Sequence, residues 1–111
     1  MRMQNIGGRN MDMTKRTRAL DITPHVKKLV WERDGGKCIL CGSQFTAMPN
    51  AHYISRAHSG LGVEQNIVTL CMDCHHAYDN TAKRTALKEC IREYLMQWYP
   101  DWDEEQLIYR K

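Results

Sequence analysis

The sequence predicts a small α+β fold. Three observations carry that prediction: two spaced pairs of cysteines, two short strand-like segments between the pairs, and helical patterns on either side of them. The chain has 111 residues, the size of one small domain. A chain this short buries a comparatively small share of its surface, so its apolar core is marginal and a staple would help. The residue inventory agrees, with 42% hydrophobic residues but a single phenylalanine.

Taken in order, residues 1–20 show no apolar periodicity, contain Gly7-Gly8 and carry Arg2, Arg9, Lys15, Arg16 and Arg18. They read as a flexible basic arm preceding a domain over residues 21–111. A first helix is signalled by Thr23 as N-cap and Pro24 at the first helical position. Val26, Leu29, Val30 and Arg33 then share one face, and Asp34-Gly35-Gly36 ends the helix. Cys38-Ile39-Leu40-Cys41-Gly42 follows as a knuckle-like turn. Residues 50–56 (NAHYISR) read as a strand and residues 65–70 (QNIVTL) as its partner, joined through the flexible Ser59-Gly60-Leu61-Gly62.

A second knuckle, Cys71-Met72-Asp73-Cys74, opens a short helix carrying His75, His76 and Asp79. The last long helix is expected from near Thr81, with Leu87, Ile91, Tyr94, Leu95 and Trp98 as its packing stripe and Pro100 as its stop. Cys90 falls within it as a small core filler, and a short acidic helix is expected from about Asp103. The metal-stapled core thus spans about residues 24–80, with C-terminal helices over about 81–109.

Composition excludes some functions. No run approaches the roughly 18–20 apolar residues needed to cross a bilayer, so no membrane association is expected. Arg2 has no apolar stretch behind it, so no secretory signal is read and a cytoplasmic location is expected. In that reducing compartment clustered cysteines more often hold metal than form disulfides. The net charge of +3 is too mild to identify a nucleic-acid binder. Its distribution says more: the basic N-terminal stretch contrasts with Asp101, Asp103, Glu104 and Glu105 near the other end.

Cys38-x-x-Cys41 and Cys71-x-x-Cys74 each space two thiolates as a tetrahedral ion requires, and two such knuckles close a four-sulfur site suited to structural Zn²⁺. The segment between them, residues 42–70, is longer than in a simple zinc ribbon and has room for a functional insert. His52, His58, His75 and His76 all lie between the first strand and the helix of the second knuckle. His75 and Asp79, four residues apart, share a helix face and make a partial site for a divalent cation. His58 and His76 read as solvated or phosphate-facing, and His25 as a surface residue of the first helix.

In order, Cys38-x-x-Cys41, Ala51-His52-Tyr53-Ile54-Ser55-Arg56, Asn66 and Cys71-x-x-Cys74-His75 resemble a zinc-containing HNH endonuclease. Glu32-Arg33-Asp34-Gly35-Gly36-Lys37 also resembles the helix end before the first knuckle in that family. The likeness covers roughly residues 24–80. Phage recombination proteins with a His-Tyr-Ile-Ser-Arg stretch are especially similar, which suggests a phage source and phage packaging or recombination proteins as candidate partners.

The resemblance implies a treble-clef-like ββα-metal domain that binds double-stranded DNA with low sequence specificity and cleaves it with Mg²⁺ or another divalent metal. It implies His52 as general base and Asn66 as the residue supporting the hairpin and the base, or binding metal in its place. It implies His75 as a metal ligand with Asp79 one turn on, and Arg56 against the scissile phosphate. Ala51 departs from the pattern, because the family usually has a His or Asp metal ligand there. Weak metal binding in the absence of DNA is the consequence. Two other readings stand beside this one: a non-catalytic zinc module that binds DNA or RNA, and a protein-interaction adaptor docking through the last helix with Trp98, Tyr99 and Trp102.

Overall fold

A computed structural model describes residues 11–110 of the chain. Four α-helices surround a two-stranded antiparallel sheet: α1 (Met11–Leu20), α2 (Pro24–Asp34), β1 (Met48–His52), β2 (Ile67–Leu70), α3 (Met72–Asn80) and α4 (Arg84–Trp98). Short 3-10 turns occupy Arg56–His58, Glu64–Asn66 and Glu104–Leu107. The α+β class read from the sequence is therefore present.

α2 begins where its signals lie. The Thr23 hydroxyl accepts the Val26 N–H at 3.2 Å, and Pro24 occupies the first turn, where no N–H is needed. Gly35, at φ 72°, closes it in the left-handed conformation that glycine adopts without steric cost. Val30 is fully buried beneath it.

β1 and β2 pair as Met48↔Leu70, Ala51↔Val68 and His52↔Ile67. Between the first two pairs β1 advances three residues against two in β2, so β1 carries a bulge at Pro49–Asn50. Pro49 has no N–H to give a ladder, which suits that interruption. The strand expected over residues 50–56 accordingly lies earlier and stops at His52, and its partner begins at Ile67 rather than residue 65. Arg56 is thereby moved from a strand into a 3-10 turn.

All four residues of β2 are buried. Ala51, Tyr53, Val68, Leu70, Tyr78, Ile91, Leu95 and Leu107 share one apolar cluster, so α4 and the C-terminal turn complete the same core as the hairpin. Four further expectations are corrected. α4 starts at Arg84 rather than near Thr81. Its stripe reaches the core through Ile91 and Leu95, while Trp98 is about half exposed (49%). Cys90, expected as a core filler, is exposed, because it lies outside the face that Ile91 and Leu95 bury.

The fourth correction concerns the expected basic arm. Residues 11–20 form a helix, and Leu20 is fully buried; residues 1–10 lie outside the described residues. The end of α1 is docked by Gly62, whose N–H donates to the Ala19 carbonyl at 2.9 Å. A Cβ on Gly62 would collide with the Asp21 carbonyl, so only glycine permits that approach.

A buried ion pair locks these layers together. Arg33 Nε lies 2.8 Å from Asp34 Oδ1, with the two side chains 7% and 0% exposed. Arg33 also donates to the Glu64 and Ile67 carbonyls at 2.8 and 2.7 Å and to the Tyr99 hydroxyl at 3.1 Å. Asp34 accepts the Thr69 N–H at 2.8 Å and the Tyr94 hydroxyl at 2.6 Å. Burial opposes the charge on Arg33, yet its hydrogen bond and attraction to Asp34 hold its pKa above the ordinary value. Burial also raises the Tyr94 phenol, to about 12, so this hydroxyl stays a donor to the carboxylate.

Candidate metal centre and adjoining histidine cleft

The first knuckle is shaped by its own backbone. Cys38 N–H donates to the Ser43 carbonyl and Gly42 N–H to the Cys38 carbonyl, each at 2.9 Å. Ile39 N–H donates to the Thr69 carbonyl at 3.0 Å, which pins the knuckle to β2. The second knuckle is the start of α3, where Cys71 is the N-cap and its sulfur accepts the Cys74 N–H at 3.5 Å. All four sulfurs of Cys38, Cys41, Cys71 and Cys74 lie within 4.8 Å of one another, and those of Cys41 and Cys71 are 3.6 Å apart.

A tetrahedron with metal–sulfur bonds of about 2.3 Å has edges of about 3.8 Å, so these residues can hold a metal ion with small adjustments. Burial raises the Cys38 thiol, but backbone N–H groups of Cys41, Cys71 and Leu40 outweigh it and bring its pKa down to about 7. The knuckle therefore favours a thiolate at one of its corners.

A cleft of about 530 Å³ lies beside this centre, lined by Asn50, His52, Arg56, His75, Asp79 and Arg84 among others. A second cleft of about 360 Å³ shares Asn50, His52 and Arg56 and adds Asp21 and Lys27. The structure thus brings His52, Arg56, His75 and Asp79 to one cleft.

His52 closes β1, and its Nε2 is 2.9 Å from the Leu20 carbonyl at the end of α1. A carbonyl oxygen only accepts, so Nε2 carries the proton and Nδ1 of the neutral ring is the free base. Burial lowers the His52 pKa, the Leu20 contact opposes that, and the nearby Arg56 charge lowers it further, with a net shift below the usual histidine value. His52 is accordingly neutral at pH 7.

On α3, His75 Nε2 and Asp79 Oδ2 are 3.1 Å apart across one helical turn. Arg84 reaches over from α4: its guanidinium stacks on Tyr78 at 4.2 Å, donates to the Tyr78 carbonyl at 3.0 Å and lies 4.0 Å from Asp79. Arg56 donates from Nη1 to Asp21 Oδ1 at 2.8 Å, and Arg16 donates to its carbonyl at 3.2 Å. His58 and His76 are exposed, bonded to Ser55 and Asn80 respectively.

Asn66 takes a different position from the other site residues. It is fully buried; its Oδ1 accepts the Ile54 N–H at 2.8 Å, while Nδ2 donates to the Ile54 and Leu61 carbonyls at 3.1 and 2.8 Å. Both ends of the amide are engaged in holding the segment between the strands. Asn66 thus ties down the segment between the strands and does not line the cleft of His52, His75 and Asp79.

Sequence reasoning missed three contributors. The Leu20 carbonyl was hidden in the supposed arm, where one buried leucine leaves no periodic trace, and Asp21 stood unmarked at the first residue after it. Asn50 was missed although Pro49, an unlikely strand residue, marks the bulge that sets it apart. Ala51 faces the core at 0% exposure, between two cleft-lining neighbours.

Among the described residues, no helix is long and apolar enough to cross a membrane. No protein-family model matches the chain, and no curated protein matches it either.

Proposed function

We propose that this chain is a metal-dependent endonuclease of the HNH type, hydrolysing DNA phosphodiester bonds with His52 as general base. One observation carries the reading: a neutral imidazole, fixed by the Leu20 carbonyl with its free nitrogen at Nδ1, lines the same cleft as the His75–Asp79 pair. Four thiols at tetrahedral spacing support Zn²⁺ as the structural ion, and the surrounding hairpin and helix would then correspond to a ββα-metal, treble-clef-like fold.

The donors of the cleft also suit a second cation, because an imidazole and a carboxylate one helical turn apart fit Mg²⁺ or another divalent ion. That ion, when bound, would neutralise charge on the phosphoryl and leaving oxygens of the substrate. His52 Nδ1 would take the proton of the attacking water, its tautomer held by Leu20. Arg56 would exchange Asp21 for a phosphate oxygen and donate charge-assisted hydrogen bonds to it. Asn66 would keep Ile54 and the loop behind His52 in place. Lys27 and Arg84, at the two ends of the joined clefts, extend the cationic track that a nucleic-acid backbone follows.

The test is plasmid nicking with Mg²⁺, Mn²⁺ and EDTA, comparing wild type with His52→Ala at equal zinc content. Metal-dependent cleavage that the variant loses, by about 10²–10⁴-fold, supports the assignment. One feature favours a non-catalytic DNA-binding module instead: among the described residues, His52, His75 and Asp79 do not form a compact three-donor cluster like that of the cysteines. DNA binding by both proteins with cleavage by neither, in any metal, would establish that reading.

A further inference from the structure

The β1 bulge leaves an unpaired group beside the cleft. Asn50 lies within the bulge, between the Met48↔Leu70 and Ala51↔Val68 pairs, and lines the cleft with His75 and Asp79. Its Oδ1 is shielded from solvent and has no hydrogen-bond partner. An amide oxygen left in that state loses its water without gaining a replacement, which folded chains tolerate rarely. Thr69 Oγ1 is the other such oxygen among the described residues, but it sits in the fully buried β2 and lines no cleft.

We infer that Asn50 Oδ1 is a third protein ligand to a divalent cation held with His75 and Asp79. The inference deepens the nuclease reading and rests on it for the role of the His75–Asp79 pair. It also changes the meaning of Ala51. A side chain at position 51 points into the core, where Ala51 packs with Tyr53 and Val68, so in this chain that position does not reach the cleft. Position 50, two residues before His52, lines the cleft with it instead, and the bulge beside it leaves its side chain unpaired.

The resulting set is one imidazole nitrogen, one carboxylate oxygen and one neutral amide oxygen, with remaining positions open to water and phosphate. Such a set suits Mg²⁺ or Mn²⁺, and its single formal charge makes binding weak.

The test is Mn²⁺ titration of the full-length, zinc-loaded protein without DNA, following the free-ion signal by electron paramagnetic resonance. Wild type is compared with Asn50→Ala, Asn50→Asp and His75→Ala, each checked for equal zinc content and circular dichroism. Asn50→Ala is expected to weaken Mn²⁺ by at least about tenfold, by analogy with the loss of metal-site partners. Asn50→Asp, nearly isosteric and less prone to misfold, is expected to tighten it by about tenfold through added ligand charge.

Binding that His75→Ala abolishes but both Asn50 variants leave unchanged overturns Asn50 as a ligand and leaves the nuclease reading intact. If wild type binds no Mn²⁺ beyond its zinc, both the ligand and the cation site fall together.

Discussion

The four cysteines reach one point through two local turns that meet at β2, whereas the groups of the joined clefts come from six separated stretches of chain. The Leu20 carbonyl ends α1 and Asp21 follows it, Lys27 comes from α2, Asn50 and His52 from β1, Arg56 from a 3-10 turn, His75 and Asp79 from α3, and Arg84 from α4. The cysteine centre is closed on itself, with its sulfurs already at near-bonding spacing. The cleft is open, and its donors are held by contacts to other donors: His52 by Leu20, Arg56 by Asp21, His75 by Asp79. Closure suits an ion that supports the fold, and openness suits one that must admit substrate. The difference sets a closed group of four sulfurs, which could hold a metal ion, against an open cleft of mixed donors.

Removing the metal from the cysteines should have the largest effect. Apparent binding energies of structural Zn²⁺ are about 10–16 kcal/mol, comparable with the whole stability of a small domain at about 5–15 kcal/mol. Cys71→Ser, or chelation of the wild type, is therefore expected to abolish cooperative unfolding as read by circular dichroism. A cooperative melt retained in chelator would remove the distinction between the two regions.

Gly62→Ala tests the opposite end. Its Cβ would strike the Asp21 carbonyl and lie 2.9 Å from that of Leu20, so α1 must shift. A cost of about 1–3 kcal/mol is expected from the overpacking, with zinc content unchanged. Because the Leu20 carbonyl orients His52, nicking should fall more than DNA affinity does. A lower melting temperature with an unaltered nicking rate would reduce α1 to a packing element.

The smallest effect is one of pH. His52 titrates below the ordinary histidine value of 6.5, chiefly through burial. With His52 as the proposed base, which must be neutral to act, the acid limb of cleavage should lie below the ordinary histidine value. Stability follows the same sign, because the unfolded chain takes up the proton more readily. The His52 contribution is complete above about pH 6.5 and is lost as pH falls through the folded pKa. A rate profile with its acid limb at or above 6.5 would mean that His52 is solvated rather than held against Leu20.

Legibility in the sequence followed the range of the interactions. The knuckles were readable because both ligands of each pair lie within one turn, and α2 because Thr23, Pro24 and Gly35 act on their own backbone. The hairpin was placed but shifted, since its true register depends on a bulge at Pro49–Asn50 that alternation alone does not locate. α1 escaped because its docking rests on one buried leucine, on the Gly62 N–H bonded to the Ala19 carbonyl, and on the Arg16 guanidinium donating to the Arg56 carbonyl and the Ser59 hydroxyl, none of which leaves a periodic pattern in residues 11–20. His52, Arg56, His75 and Asp79, singled out in the sequence for their chemistry, line one cleft. What holds His52 and Arg56 lies more than thirty residues away in the chain, and only the folded arrangement reveals it.

The Arg33–Asp34 pair has a consequence for the order of events on the ribosome. Both residues are made early, but their phenolic partners, Tyr94 and Tyr99, come sixty or more residues later. A nascent chain displaying both knuckles can gather its cysteines while these two charges still face water. Their burial waits for α4 to be synthesised and to pack, and such distant closures are the slow steps of small-domain folding. α4 therefore acts as the latch of this core, and chains interrupted before Tyr94 would display a hairpin whose Arg33–Asp34 pair lacks both phenols.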